Sequence, residues 1–142
     1  MTDTHPGKSD INPETWLSLD GWNGRFQTSS GGGWMTGWME SFQVSRMVAH
    51  SLPRAWALNE DGSVNLQLLE HLASRALHKL SVLGKAITTS FYGNPPTYSY
   101  WNGCSTGVLQ GLMLAQRYPD DFGGIMAAAP AISWAKFIIA EY

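Results

Sequence analysis

The sequence is poor in the residues that mark several large classes of protein. Its 142 residues include a single cysteine, Cys104, so no disulfide can close within the chain, and a zinc centre would have to rest on histidines and carboxylates. The four histidines show no metal-ligand spacing. Charge is scarce: charged residues make up 14%, nine Lys+Arg against eleven Asp+Glu give a formal net charge of −2, and there is no basic run. That balance argues against nucleic acid and anionic membrane and leaves small molecules or proteins as partners. Long apolar runs are missing as well. The stretch 125–132 falls far short of the roughly 18 residues that a membrane span requires. Residues 1–10 are polar, without the apolar core of a secretory signal, so taken literally the chain stays inside the cell. At this length one core is feasible, whereas a domain of about 200 residues, as large α/β enzymes need, does not fit.

Aromatic rings are plentiful by contrast, at 12% with seven tryptophans. Residues 1–13 read as a disordered tail and 14–142 as the folded domain. Residues 14–19 suit a short strand, and Asp20-Gly21 and Asn23-Gly24 are turn signals around Trp22. The stretch 27–33, ending in Gly31-Gly32-Gly33, is expected to be irregular, because consecutive glycines free the backbone for positive φ and close approach. Residues 35–54 fit neither the helical nor the strand period. Between 64 and 91, Leu69, Leu72, Ala73, Ala76, Leu80, Leu83 and Ile87 recur every three or four residues. That spacing predicts one amphipathic helix, with Gly84 as the place for a break. The aromatic-rich 97–102 reads as a strand, 108–118 as a helix closed by Pro119, and 125–129 as a strand stopped by Pro130. Helix, strand, sharp turn, helix, strand is the order of a parallel α/β architecture.

Between that strand and the helix after it lies Gly103-Cys104-Ser105-Thr106-Gly107, a G-x-S-x-G pattern in the context the motif requires. In a nucleophile elbow the serine occupies a strained turn, and flanking glycines avoid a clash between a Cβ and neighbouring backbone. Ser105 is then the candidate nucleophile, at the end of a parallel strand where open α/β sheets place their ligands. The helix that follows turns its N-terminus to the reacting centre, which makes the Thr106 backbone N–H a candidate oxyanion donor. A second donor in such sites comes from a glycine-rich loop after an earlier strand. Gly32 and Gly33 stand in that relative position after Arg25-Phe26. One such donor contributes about 3–4 kcal/mol of transition-state stabilisation.

The run 91–134, FYGNPPTYSYWNGCSTGVLQGLMLAQRYPDDFGGIMAAAPAISW, resembles the tannase and feruloyl esterase family of α/β-hydrolases. The likeness extends back through Trp56-Ala57-Leu58-Asn59, Asp61-Gly62 and the helix with His78 and Gly84-Lys85. It resumes at Trp16-Leu17 and at Trp22-Asn23-Gly24-Arg25-Phe26 up to the three glycines, and leaves out 1–10 and 38–54. The resemblance implies a carboxylic ester hydrolase acting on feruloyl or galloyl esters, as small molecules or on cell-wall polysaccharides, and exported from the cell. It also implies a mostly parallel sheet, Ser105 as nucleophile, and Cys104 as one half of a disulfide with a cysteine beside the catalytic histidine. Calcium is implied for the family's lid, and no cofactor for the part present here.

Two departures shape the expectation. Val108 and Leu109 stand where the family's elbow continues with Gly and Arg, and a shorter, unfamiliar stretch with His50-Ser51 replaces a longer one before Trp56. The fold order is Ser, acid, His, whereas His5, His50, His71 and His78 all precede Ser105. Asp120 and Asp121 close the elbow helix, about 15 residues on at about 1.5 Å each, and point away; Glu141 follows later. His71 and His78, on roughly one helical face, read as packing or solvent-facing, and His50 is a further candidate base. The expectation is therefore a truncated member, a partial α/β-hydrolase fold without lid and C-terminal part. Its function is ester hydrolysis through Ser105. The alternative is a non-catalytic fragment lacking the Asp and His of the triad, at most a binding or interaction module.

Overall fold

The computed structural model describes residues 12–30, 45–48, 58–130, 132, 133 and 136. Within them the strands are β1 (Asn12–Glu14), β2 (Arg25–Ser30), β3 (Ser45–Val48), β4 (Tyr98–Ser105) and β5 (Gly124–Pro130). The helices are α1 (Leu66–Glu70), α2 (Ala76–Tyr92) and α3 (Thr106–Arg117), and a π-helical turn, His71–Arg75, joins α1 to α2. The sheet runs in the order β1-β3-β2-β4-β5. The pairs β3–β2, β2–β4 and β4–β5 are parallel, and only β1 runs antiparallel to its neighbour.

Alternation along the strands decides which face is buried. On β2, Phe26 and Thr28 are buried while Gln27 between them is less so, and on β4 Trp101 and Gly103 are buried. The register puts Thr28 beside Trp101 and Trp101 beside Ile125, so these side chains share one face of the sheet. Leu77 of α2 and Leu114 of α3 meet that face and, with Phe26, Trp101 and Phe122, make the core. Full burial of such a side chain contributes about 1.5–3 kcal/mol. On the other face Gln27, Tyr100, Asn102 and Met126 border an open groove of about 390 Å³.

Local signals set the helix ends. The Asn65 side chain accepts from the Leu68 N–H at 3.0 Å and caps α1. Gly93, at φ 76°, ends α2 in the left-handed conformation that glycine takes without a Cβ penalty. The predicted break at Gly84 does not occur. Gly84 is buried with Ser81 and Thr88, and the Thr88 hydroxyl donates to the Gly84 carbonyl at 2.7 Å, so α2 continues through it. The irregularity falls instead at the π turn 71–75.

Three further expectations are corrected. Residues 27–30 belong to β2, because each pairs with a residue of β4 from Tyr100 to Gly103, and the neighbouring ladder overrides weak local preference. Asn12 and Pro13, placed in the tail, pair with β3, and the strand expected over 14–19 ends at Glu14. The remainder of the tail, 1–11, lies outside the described residues. Among those residues no helix is long and apolar enough to cross a membrane.

The packing predicts a contrast within α3. Leu114→Ala, at a position with no exposure, is expected to destabilise by about 2–5 kcal/mol in urea unfolding. Leu112→Ala, at an exposed position on the same helix, is expected to stay within about 0.5 kcal/mol.

Candidate active site

β4 ends and α3 begins with no residue between them, so the chain must reverse direction at one position. That position is Ser105, with φ 55° and ψ −114°. A non-glycine residue held there stores about 1–3 kcal/mol of strain. The neighbouring strand is irregular at the same level: the register slips between Cys104 and Ser105, and Ala129, left out of the pairing, also takes a positive φ of 56°. The Ser105 side chain makes no capping hydrogen bond to the first turn of α3, and that turn holds no acidic residue. The helix terminus therefore favours negative charge beside the serine oxygen.

Small residues let α3 approach β4 this closely. A Cβ on Gly103 would meet the Gly107 carbonyl oxygen at 2.3 Å and its carbon at 2.4 Å. Below this contact lies Trp101, 1% exposed, whose indole N–H donates to the same Gly107 carbonyl at 2.9 Å. In the sequence Trp101 is one more strand aromatic, since alternation alone does not reveal a contact across the turn.

The other predicted site residues fall in different places. Thr106 is the first residue of α3, where its backbone N–H belongs to the helix terminus. Gly32, Gly33 and His50 lie outside the described residues, but β2 leads towards the glycines from Ser30, which pairs with Gly103. Cys104 is exposed with a free thiol. His71 is buried in the π turn. Among the described residues no group of three or more His, Cys, Asp or Glu could hold a metal ion.

His78 has a carboxylate partner, at the wrong end of α3. Its Nδ1 donates to Asp121 Oδ2 at 2.9 Å, and its ring stacks on Tyr118 with centroids 4.3 Å apart. Asp121 follows the C-terminus of α3, whose 12 residues rise about 18 Å from Ser105. Lys85 donates to the Asp121 main-chain carbonyl and lies 5.3 Å from the Phe122 ring centroid. Burial lowers the Lys85 pKa below the ordinary lysine value, and the Asp121 charge opposes that shift. The acids after the elbow helix were read from sequence as helix-end residues. The burial of Asp121 was missed, because its partners lie about forty residues earlier in the chain.

Comparison with known proteins gives a consistent result. A family model described as tannase and feruloyl esterase matches residues 2–141, which takes in 38–54 and all but the first residue of 1–10, the stretches that the resemblance left out. A probable feruloyl esterase of Arthroderma benhamiae is 44% identical over 97% of this chain and 29% of its own length. Among solved structures, feruloyl esterase B from Aspergillus oryzae superposes with a TM-score of 0.75 at 32% identity, over 92% of this chain and 27% of that one. Tannin acyl hydrolase from Aspergillus niger gives 0.72 at 26% identity, over 93% and 27%. This chain thus spans less than a third of the length of these proteins.

The elbow predicts a contrast between two glycines. Gly103→Ala is expected to destabilise by about 3 kcal/mol, at the upper end for an overpacked site, since the obstacle is backbone. Gly123→Ala, whose Cβ would find only the Ser99 carbonyl at 3.7 Å, is expected to shift the urea midpoint little.

Proposed function

Because the chain belongs to the tannase and feruloyl esterase family, we propose that it carries the nucleophile of a carboxylic ester hydrolase acting on aromatic-acid esters, feruloyl or galloyl. The observation that carries this reading is the strained Ser105 at the junction of β4 and α3. In the reaction, the serine hydroxyl gives its proton to a base as its oxygen bonds to the ester carbon. Negative charge moves onto the carbonyl oxygen, where the Thr106 N–H and an N–H of Gly32 or Gly33 receive it. The alcohol leaves with the proton held by the base, and water then releases the aromatic acid from the acyl-serine. The pairing of Ser30 with Gly103 supports the glycine loop as the second donor, since it brings β2 to the elbow. The substrate class follows the printed names of the relatives.

The position of His78 favours a second reading for the isolated chain. The His78–Asp121 pair is held away from Ser105 and cannot serve as its base, and a serine that has no base stays protonated and is a poor nucleophile. On this reading the 142 residues alone bind aromatic esters at most. Base and acid would then have to come from outside the described residues.

A chimera tests the first reading. The matched segment of the Aspergillus oryzae feruloyl esterase is replaced by this chain and hydrolysis of methyl ferulate is followed. Activity is expected, and Ser105→Ala is expected to lower kcat by about 10⁶-fold. A folded chimera that is inactive, or equally active after Ser105→Ala, contradicts the assignment. For the isolated chain, equal rates with and without Ser105→Ala are expected. Serine-dependent turnover there would contradict the second reading.

A further inference from the structure

We propose that Trp101 is a positioning residue for the elbow: its indole N–H, by holding the Gly107 carbonyl, fixes the first turn of α3 beneath Ser105. Trp101 lies on β4, four residues before the serine, and the hydrogen bond from Nε1 to the Gly107 oxygen is 2.9 Å long and buried. A carbonyl in the first turn of a helix ordinarily accepts from the N–H four residues on. Its second lone pair leaves room for the indole as an additional donor.

The ring shares the core with Phe26, Leu77, Leu114 and Phe122, and its Nε1 edge lies against glycine main chain. A Cβ on Gly103 would come within 2.8 Å of Nε1, and a Cβ on Gly111 within 2.7 Å of both Cδ1 and Nε1. The Nε1 edge of the indole is therefore fitted against Gly103 of β4 and Gly111 of α3, where a Cβ would crowd it, and hydrogen-bonded to the Gly107 carbonyl one turn earlier. Phe122 meets the ring edge-to-face, with centroids 5.8 Å apart. At this edge the ring meets the main chain of α3 directly, through the Gly107 carbonyl and at Gly111, so the position of the ring bears on that of the helix terminus. Losing the N–H leaves the Gly107 carbonyl its helical partner, so the fold persists. The tilt of the first turn then loses its constraint, and with it the direction of the N–H groups that face residue 105. The inference rests on the reading of Ser105 as the group this terminus serves.

The test uses the full chain with Cys104→Ser and Ser105→Cys, so that the thiol at 105 is the sole one. Its alkylation by iodoacetamide is followed against pH, beside thermal unfolding. A thiol at a helix N-terminus has a pKa below the ordinary value of about 8.5. Adding Trp101→Phe is expected to raise the apparent pKa by about one unit, which slows alkylation at pH 7 about tenfold. The limiting rate at high pH is expected to stay the same. A role in packing alone would lower the unfolding temperature and leave the profile in place, and a superimposed profile overturns the proposal. If Trp101→Phe does not fold, Trp101→benzothienylalanine, with sulfur in place of the N–H, keeps the ring; the same shift is expected, and an unmoved profile overturns the proposal. A lowered pKa without Trp101→Phe that does not respond to it counts against Trp101 alone. An ordinary pKa without Trp101→Phe overturns both the proposal and the reading of the helix terminus as an anion receiver.

Discussion

The near-contact between β4 and the first turn of α3, where Gly103 faces the Gly107 carbonyl, is the constraint on which the rest depends. At that separation there is no space for a Cβ and none for a connecting residue, so the whole change of direction falls on Ser105. The strained φ of 55° is a consequence of the packing rather than a local preference of serine. The same closeness brings the start of α3 to the end of β4. One distance thereby produces both features the proposed chemistry needs, a strained serine at the end of β4 and a helix terminus beside it.

The two ends of α3 are held by different physics. At its N-terminus a steric fit of glycines is joined by one buried hydrogen bond, from the indole N–H to the Gly107 carbonyl. Beyond its C-terminus they are polar: His78 and Lys85, both from α2, reach Asp121 through its carboxylate and its main-chain carbonyl. Tyr118 stacks on His78 and packs against the core as well. The His–Asp pair has the composition of a triad's lower half, yet its position gives it a structural role. Residue type alone would have suggested a catalytic pair, and the rise of the helix excludes it from contact with Ser105.

The strand-turn-helix unit was legible in the sequence because its signals are local and strong. Tyr98, Tyr100 and Trp101 favour extended chain, the G-x-S-x-G pattern marks the turn, and Leu109, Leu112 and Met113 recur at helical spacing. Where several signals agree, the elements came out within a few residues of the prediction. Gly84 misled because helix propensity counts a glycine as a breaker, whereas here it is buried between Ser81 and Thr88 on the packed side of α2. Thr28 to Ser30 resemble loop residues and become strand only through their pairing with β4. The role of Trp101 and the burial of Asp121 are tertiary facts, set by partners across a turn and about forty residues away, and no local pattern carries them.

The central claim is that packing between β4 and α3 forces Ser105 to a positive φ. Nuclear magnetic resonance on the isotope-labelled chain tests this directly, because positive φ brings a residue's amide proton close to its own Hα. A strong intraresidue cross-peak at Ser105, matched by Ala129 and much stronger than those along β4 before it, is the result this account predicts. A weak cross-peak at Ser105, like those of the preceding strand residues, would contradict it.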